Sequence, residues 1–253
     1  MEWQQIIALL LSGLIGVSLG LLGGGGSILA VPVLVYVAGI EAKTSVAMSL
    51  AIVGATSLAA SALHWRQGRV DARTAAWFGS AGMVGALLGA QLTPLVSSEM
   101  LLLLFALLML VVSVLMLRKP HSAQADAPHA ANLPRTLLAG FSVGIVTGFL
   151  GVGGGFLIVP ALVLFGGLSM HNAVGTSLLV IALNSAAGFI GHWQHSTLPL
   201  NATLAFTAAA ISGTFIGAWL SRRISAQRLR HSFAVFVMVV AVGLLVANRH
   251  ALL

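Results

Sequence analysis

The longest stretch without a charged side chain sets the strongest limit on how this sequence folds. No Asp, Glu, Lys or Arg occurs between Arg135 and Arg222. A helix needs about 20 apolar residues to cross the hydrocarbon core of a bilayer, so this stretch is long enough for several crossings. Charged residues make up only 7% of the chain, against roughly 25% in soluble globular domains. The sequence therefore predicts a polytopic membrane protein.

The chain contains two copies of one pattern. Segment 20–32 (GLLGGGGSILAVP) matches segment 148–160 (GFLGVGGGFLIVP), an offset of 128 residues. At the same offset, Ser49-Leu50 matches Ser177-Leu178 and His64-Trp65 matches His192-Trp193. No gap is needed, which predicts two homologous structural units.

Each copy divides into five apolar segments whose length and lack of alternation favour helices. The second segment of each copy is short: fourteen residues of helix reach about 21 Å, less than the ~30 Å hydrocarbon core. We therefore predict an all-α membrane protein in which the first two helices of each copy meet at a glycine-rich break. The segments are 5–22, 27–40, 44–65, 74–94 and 99–117, then 136–150, 155–168, 172–193, 201–221 and 229–248.

The basic residues predict that the two copies are inverted. Loops rich in Lys and Arg stay in the cytoplasm. In this sequence the basic loop follows the third segment of the first copy but the fourth segment of the second copy. This predicts a first membrane repeat at 1–118, a cytoplasmic linker at 119–134, a second, inverted repeat at 135–253, and periplasmic termini. Arg249 argues weakly against this orientation. The basic loop residues are Arg66, Arg69 and Arg73, then Arg222, Arg223, Arg228 and Arg230.

The two glycine runs are the candidate substrate site. A helix that begins inside the membrane has unpaired backbone N–H groups and a partial positive charge at its first turn. Glycine also lets a ligand approach the backbone closely, so a break can hold an anion. The alternative is close helix packing, which we favour for scattered glycines such as Gly85 and Gly213. The site residues predicted here are Gly23, Gly24, Gly25, Gly26 and Ser27, with Gly151, Gly153, Gly154 and Gly155.

Polar residues inside the spans extend the candidate site. Ser49 and Thr56 lie two helical turns apart on one face, and Ser177 and Asn184 are their counterparts. They either contact the solute or form interhelical hydrogen bonds. His64 and His192 close the third segments. Each is either an interface anchor or a proton carrier, because histidine titrates near neutral pH.

Composition excludes several function classes. The chain has no cysteine, and its histidines lack partners for a metal site, so we expect no metal, no cofactor and no enzymatic activity. The +7 formal charge lies in short loops and is explained by topology rather than by nucleic acid. The expected partners are a small anionic substrate and the lipid bilayer, and a homodimer is left open.

The doubled glycine motif, the Ser-Leu step and the His-Trp ending resemble the TauE/SafE family of sulfite exporters. The resemblance covers nearly the whole chain outside the linker. It implies transport of sulfite, organosulfonates or related small anions across the bacterial inner membrane. We therefore expect a secondary transporter, most simply an exporter working by alternating access. The alternative is a passive anion channel on the same scaffold.

Overall fold

The computed structural model of the protein describes residues 3–92, 96, 98–118, 133–150, 155–193 and 199–247. Within these residues the chain forms ten α-helices. They are α1 (Trp3–Leu22), α2 (Ser27–Pro32), α3 (Ala42–Trp65), α4 (Ala72–Ala90), α5 (Ser98–Arg118), α6 (Leu133–Leu150), α7 (Gly155–Leu164), α8 (Met170–Trp193), α9 (Leu200–Arg223) and α10 (Ala226–Ala247).

The break predicted between the first two helices is present. Gly23 follows the last residue of α1 and has a φ of +73°, a backbone conformation that residues other than glycine rarely adopt. A 3-10 turn at Gly24–Gly26 then leads into α2. The helix continues as a π-helical stretch, Val33–Val37. Pro32, which lacks a backbone N–H, directly precedes this stretch.

Several boundaries differ from the prediction: α4 ends at Ala90 rather than at 94, and α7 ends at Leu164 rather than at 168. Helix α6 begins at Leu133, inside the segment assigned to the linker, because Pro134 is well tolerated in the first turn of a helix. The helical run after the first break ends at Val37 rather than at residue 40, just before Gly39 with its φ of +68°. The predicted break at 151–154 lies outside the described residues.

Close helix pairs join the two halves of the chain. Helix α1 runs parallel to α9, since Gly16 meets Ala210 and Gly20 meets Thr214 further along both helices. The Oγ1 of Thr214 donates a hydrogen bond to the Gly16 carbonyl at 3.1 Å. At the predicted packing glycine Gly213, an added Cβ would overlap the backbone of Gly13. The expectation that such glycines serve close packing is confirmed.

The same packing recurs between α4 and α6. Gly85 meets Phe141, and Gly89 meets Ile145, so these helices are also parallel. At the 128-residue offset, α4 and α6 are the counterparts of α9 and α1. Helices α3 and α8, which are counterparts of each other, pack antiparallel, with Leu50 near Gly188. The contacts between the halves are therefore reciprocal.

The first three helical segments alternate in direction between the two ends of the bundle. His64, at the end of α3, contacts the carbonyl of Gly20, at the end of α1, so both helices end on the same side. Leu34 packs in a cluster with Ala8 and Met48, which places the end of the α2 run beside the beginnings of α1 and α3. We call this side the N-terminal end and the opposite side, with Arg69 and Arg222, the basic end.

Four helices within the described residues are long and apolar enough to cross a membrane, by length and composition. Their apolar stretches are Thr44–Trp65, Met170–Ile190, Leu200–Arg223 and Ala226–Val246. The shorter apolar helices include Ile6–Leu22 and the run Gly24–Val37. A largely apolar core, including Phe78, Phe156, Leu178 and Phe233, connects the elements of both halves.

Candidate functional site

The glycine break of the first half touches the second half directly. A Cβ added to Gly24 would overlap the carbonyl of Gly155, and one added to Gly155 would approach the Ser27 hydroxyl. The Ser27 Oγ donates a hydrogen bond to the Gly24 carbonyl at 2.7 Å. The two predicted glycine sites therefore meet at the centre of the bundle, at least at Gly24 and Gly155.

A cavity of about 640 Å³ opens beside this contact. Its walls come from α2, α3 and α5 of the first half and from α8 and α10 of the second half. Three serines, Ser27, Ser49 and Ser185, supply its side-chain hydroxyl groups, and the other side chains that line it are apolar. Among the described residues that line it, none is charged. The cavity can offer hydrogen bonds to a solute through its serine hydroxyls.

The cavity lies toward the N-terminal end. Its α3 wall is the stretch Val46–Val53 in the first half of that helix, and its α10 wall is the stretch Val240–Leu244 near the end of that helix. Helix α9 ends at the basic end, so α10 begins there and returns to the N-terminal end. The lining therefore occupies the half of the bundle nearer the beginning of α1.

The described residues of the counterpart region in the second half are packed. Residues 155–162, which match 27–34, are all buried, whereas Pro32 is exposed at the cavity. Phe105 and its counterpart Phe233 are both buried, but Phe105 lines the cavity and Phe233 faces Gly25. Two copies with one pattern thus have different environments: one beside an open space and the other in a packed core.

The glycines of the first run are packed rather than exposed to the cavity. Gly24, Gly25 and Gly26 are buried, and a Cβ on Gly25 would contact the rings of Phe236 and Phe233. A Cβ on Gly23 would meet the Ser177 hydroxyl at 2.8 Å. Of the first predicted glycine run, only Ser27 reaches the cavity wall. Gly151, Gly153 and Gly154 lie outside the described residues.

The predicted polar residues divide into two groups. Ser49 lines the cavity, and its Oγ donates to the Val46 carbonyl at 2.8 Å. Ser177 is buried and donates to the Val174 carbonyl, also at 2.8 Å. Thr56 Oγ1 and Asn184 Oδ1 are buried without a hydrogen-bond partner, and neither residue lines the cavity.

His64 is built into the interior rather than reaching lipid headgroups. Its side chain is fully buried, and its Nε2–H donates to the Gly20 carbonyl at 3.2 Å. That carbonyl belongs to the last turn of α1, where helices lack internal donors. The neighbouring Trp65 is exposed. His192 lies in α8, but its side chain is outside the described residues.

Most of the cavity wall was not predicted from the sequence. Phe105, Val240 and Leu244 come from apolar helices, α5 and α10, that carry no distinguishing pattern. Ser185 could have been proposed, because it is the repeat counterpart of Ser57 and lies beside Asn184. For the apolar residues no sequence signal was available.

Comparison with known proteins agrees with a transporter. The family model "Sulfite exporter TauE/SafE" matches residues 8–244. A protein of Xylella fastidiosa (strain 9a5c), named a probable membrane transporter protein, is 37% identical, covering 96% of this chain and 95% of the relative. The probable membrane transporter protein YdhB of Bacillus subtilis (strain 168) is 25% identical, covering 95% of this chain and 99% of the relative. No solved structure matches the chain significantly. The chain therefore belongs to the TauE/SafE family of membrane transporters.

Proposed function

We propose that this protein is a secondary transporter that exports a small anion, such as sulfite or an organosulfonate, by alternating access. One observation carries the proposal. A cavity is present between the halves on one side of the glycine contact, and the matching residues on the other side are packed closed. A carrier caught with one side open has this arrangement, since its two halves exchange environments during the cycle.

The proposal includes inverted repeats. Parallel packing of α1 with α9, and of α4 with α6, supports inversion. Helices α1 and α3 end on the same side, so the number of crossings by the end of α3 is odd. Two further crossings by α4 and α5 keep it odd, and the second copy then begins from the opposite side. A pseudo-twofold axis in the membrane plane relates two such copies.

An anionic solute is supported by chemistry and by family. The described residues of the cavity wall include no carboxylate that would repel an anion, and three serine hydroxyls can donate to one. Hydrogen bonds to charged groups are worth about 1.5–3 kcal/mol each, so these hydroxyls can hold an anion without a buried Arg or Lys. The name of the matching family supplies sulfite as the first candidate.

Export is proposed from the family name and from the placement of charge. With the basic loops in the cytoplasm, the basic end faces inward and the cavity faces the periplasm of a bacterial cell. In that orientation the conformation described here is open to the outside. It is the state from which a solute taken up at the basic end would be released.

Flux in proteoliposomes tests this function. Vesicles loaded with unlabelled sulfite should accumulate labelled sulfite against its gradient, and the rate should saturate. Counterflow requires a binding site that returns loaded, which a channel lacks. Single-channel conductance without counterflow would replace the carrier with the passive channel. A parallel panel of sulfate, sulfoacetate and small carboxylates would identify the preferred solute.

A further inference from the structure

A second polar cluster lies at the basic end, away from the cavity. The loop after α3 is held there by the second half of the chain. Gly175 of α8 packs against the Arg69 carbonyl, and the Asp71 backbone N–H donates to Thr176 Oγ1 at 3.0 Å. The backbone N–H of Arg69 also bonds the His64 carbonyl at 3.0 Å. The loop is therefore fixed in place, and its side chains have a defined setting.

Two hydrogen-bond donors and one acceptor in this cluster have no partner. The Nη1 atom of Arg69 and the amide nitrogen of Gln67 are buried without a hydrogen-bond partner, and so is the Gln67 amide oxygen. Buried donors are normally paired, and an unpaired one costs roughly 1–3 kcal/mol, more if it is charged. These side chains are only partly buried as whole residues. The unpaired atoms themselves face inward, so a ligand from the aqueous side reaches them only when these partly exposed side chains turn outward.

The cluster is also positively charged without compensation. Partial burial and the nearby positive charge of Arg222 together lower the pKa of the Arg69 guanidinium. Arg222 is exposed at the end of α9. Helix α8 links that end to the loop, because His171 contacts the Ser221 carbonyl at 3.2 Å and Gly175, one turn further along α8, packs against the Arg69 carbonyl. The nearest carboxylate along the chain, Asp71, is occupied by Thr74, accepting from its backbone N–H at 3.0 Å and its hydroxyl at 2.6 Å. Within the described residues neither guanidinium has an ion-pair partner.

A bound anion relieves two free-energy costs, that of the unpaired donors and that of the uncompensated positive charge. Its oxygens supply the missing acceptors, and its charge relieves the repulsion between the two guanidinium groups. Guanidinium groups bind oxyanions through two parallel N–H bonds, which favours a ligand with at least two oxygens over chloride.

We propose that Gln67, Arg69 and Arg222 form an oxyanion-binding site at the basic end. The ligand is an oxyanion such as sulfate, sulfite or phosphate, supplied either as a free ion or as the phosphate of an anionic lipid headgroup. The site is separate from the cavity and does not depend on the transport proposal. If export is correct, an anion approaching from the cytoplasm meets this site before it meets the closed core.

Thermal unfolding of the full chain in neutral detergent tests the site. Sulfate should raise the Tm of the wild type by about 3 °C more than chloride at equal ionic strength, the size expected for ligand near ten times its Kd. Arg69→Gln and Arg222→Gln should each lose this response. The matched control is Arg66→Gln, which removes an equal charge from an exposed position in the same loop.

Stability without the anion separates ligand binding from a structural role. Because Arg69 Nη1 makes no internal hydrogen bond, Arg69→Gln should be at least as stable as the wild type in low-salt buffer without sulfate. A variant that is less stable there, with an unchanged sulfate response, would show that Arg69 is structural and would overturn the proposal. An equal loss of response in Arg66→Gln would also overturn it, since that result indicates general surface charge.

Nanodiscs distinguish the two sources of the oxyanion. Discs of phosphatidylcholine alone are compared with discs containing added phosphatidylglycerol. Arg69-dependent stabilisation by sulfate in both kinds of disc identifies a free ion as the ligand. Arg69-dependent stabilisation by phosphatidylglycerol, with no effect of sulfate, identifies the headgroup. If neither distinguishes the wild type from Arg69→Gln, the site does not exist, and counterflow would be unaffected by that result.

Discussion

Gly24 is the residue at which the two halves of the chain approach most directly. Its neighbour is the backbone of Gly155, which cannot move aside as a flexible side chain can. The repeated glycine motif predicted a solute contact at this position. The structure places it in a backbone contact, with the cavity beginning one turn later, at Ser27.

Replacing Gly24 with alanine should therefore destabilise the protein. Overpacking in a rigid contact costs about 1–3 kcal/mol, which lowers Tm by several degrees in a chain of this size. The matched control is Gly243→Ala, since Gly243 lines the cavity and an added Cβ there meets nothing within 4 Å. Thermal unfolding of both variants in detergent measures the difference. Equal Tm values would show that the contact adapts.

Ser27 and Ser49 should act on solute affinity rather than on folding. Their hydroxyls now bond backbone carbonyls of their own helices and can rotate to donate to a bound anion. Ser27→Ala or Ser49→Ala should raise KM for transport about tenfold, as expected for loss of one hydrogen bond to a charged group. Ser212→Ala removes an exposed hydroxyl from α9 and should leave KM unchanged. An unaltered KM in both cavity variants would show that these hydroxyls do not bind the solute.

Helix pairing depends on which glycine faces the partner. On α1, a Cβ at Gly16 would overlap the backbone of Ala210, whereas one at Gly13 would lie at an ordinary 3.7 Å from Ala209. Gly16→Ala should therefore separate α1 from α9 and lower Tm by several degrees, and Gly13→Ala should not. If the two variants unfold alike, helix approach is not limited at Gly16.

The elements themselves were largely predictable, and their environments were not. Apolar length and the glycine run at 23–26 predicted the helices and the first break. The π-helical stretch after Pro32 was not predicted, because the matching Pro160 lies within the regular helix α7 and the sequence pattern does not distinguish the two. The sequence also could not predict that Pro32 is exposed at the cavity while its counterpart Pro160 is buried. The two copies have nearly the same pattern, and tertiary packing alone distinguishes them.

At the scale of the whole molecule, orientation rests on the basic loops. Arg66 lies at the basic end, and Gln91 follows α4, which runs back to the N-terminal end; both are exposed. The native chain has no cysteine, so single cysteines report cleanly. In intact cells, Gln91→Cys should react with a membrane-impermeant maleimide, and Arg66→Cys should react only after lysis. The reverse pattern would invert the proposed topology.

The central claim is that the two halves exchange environments. Both serines are buried, but Ser49, at 7% exposed, lines the open cavity, whereas its counterpart Ser177, at 0% exposed, does not. The decisive measurement is the labelling rate of Ser49→Cys and Ser177→Cys in oriented proteoliposomes, with and without sulfite on both sides. We predict that sulfite slows labelling of Ser49→Cys from the N-terminal end and makes Ser177→Cys reactive from the basic end. If position 177 stays protected while the protein transports sulfite, the exchange of open and closed halves does not occur.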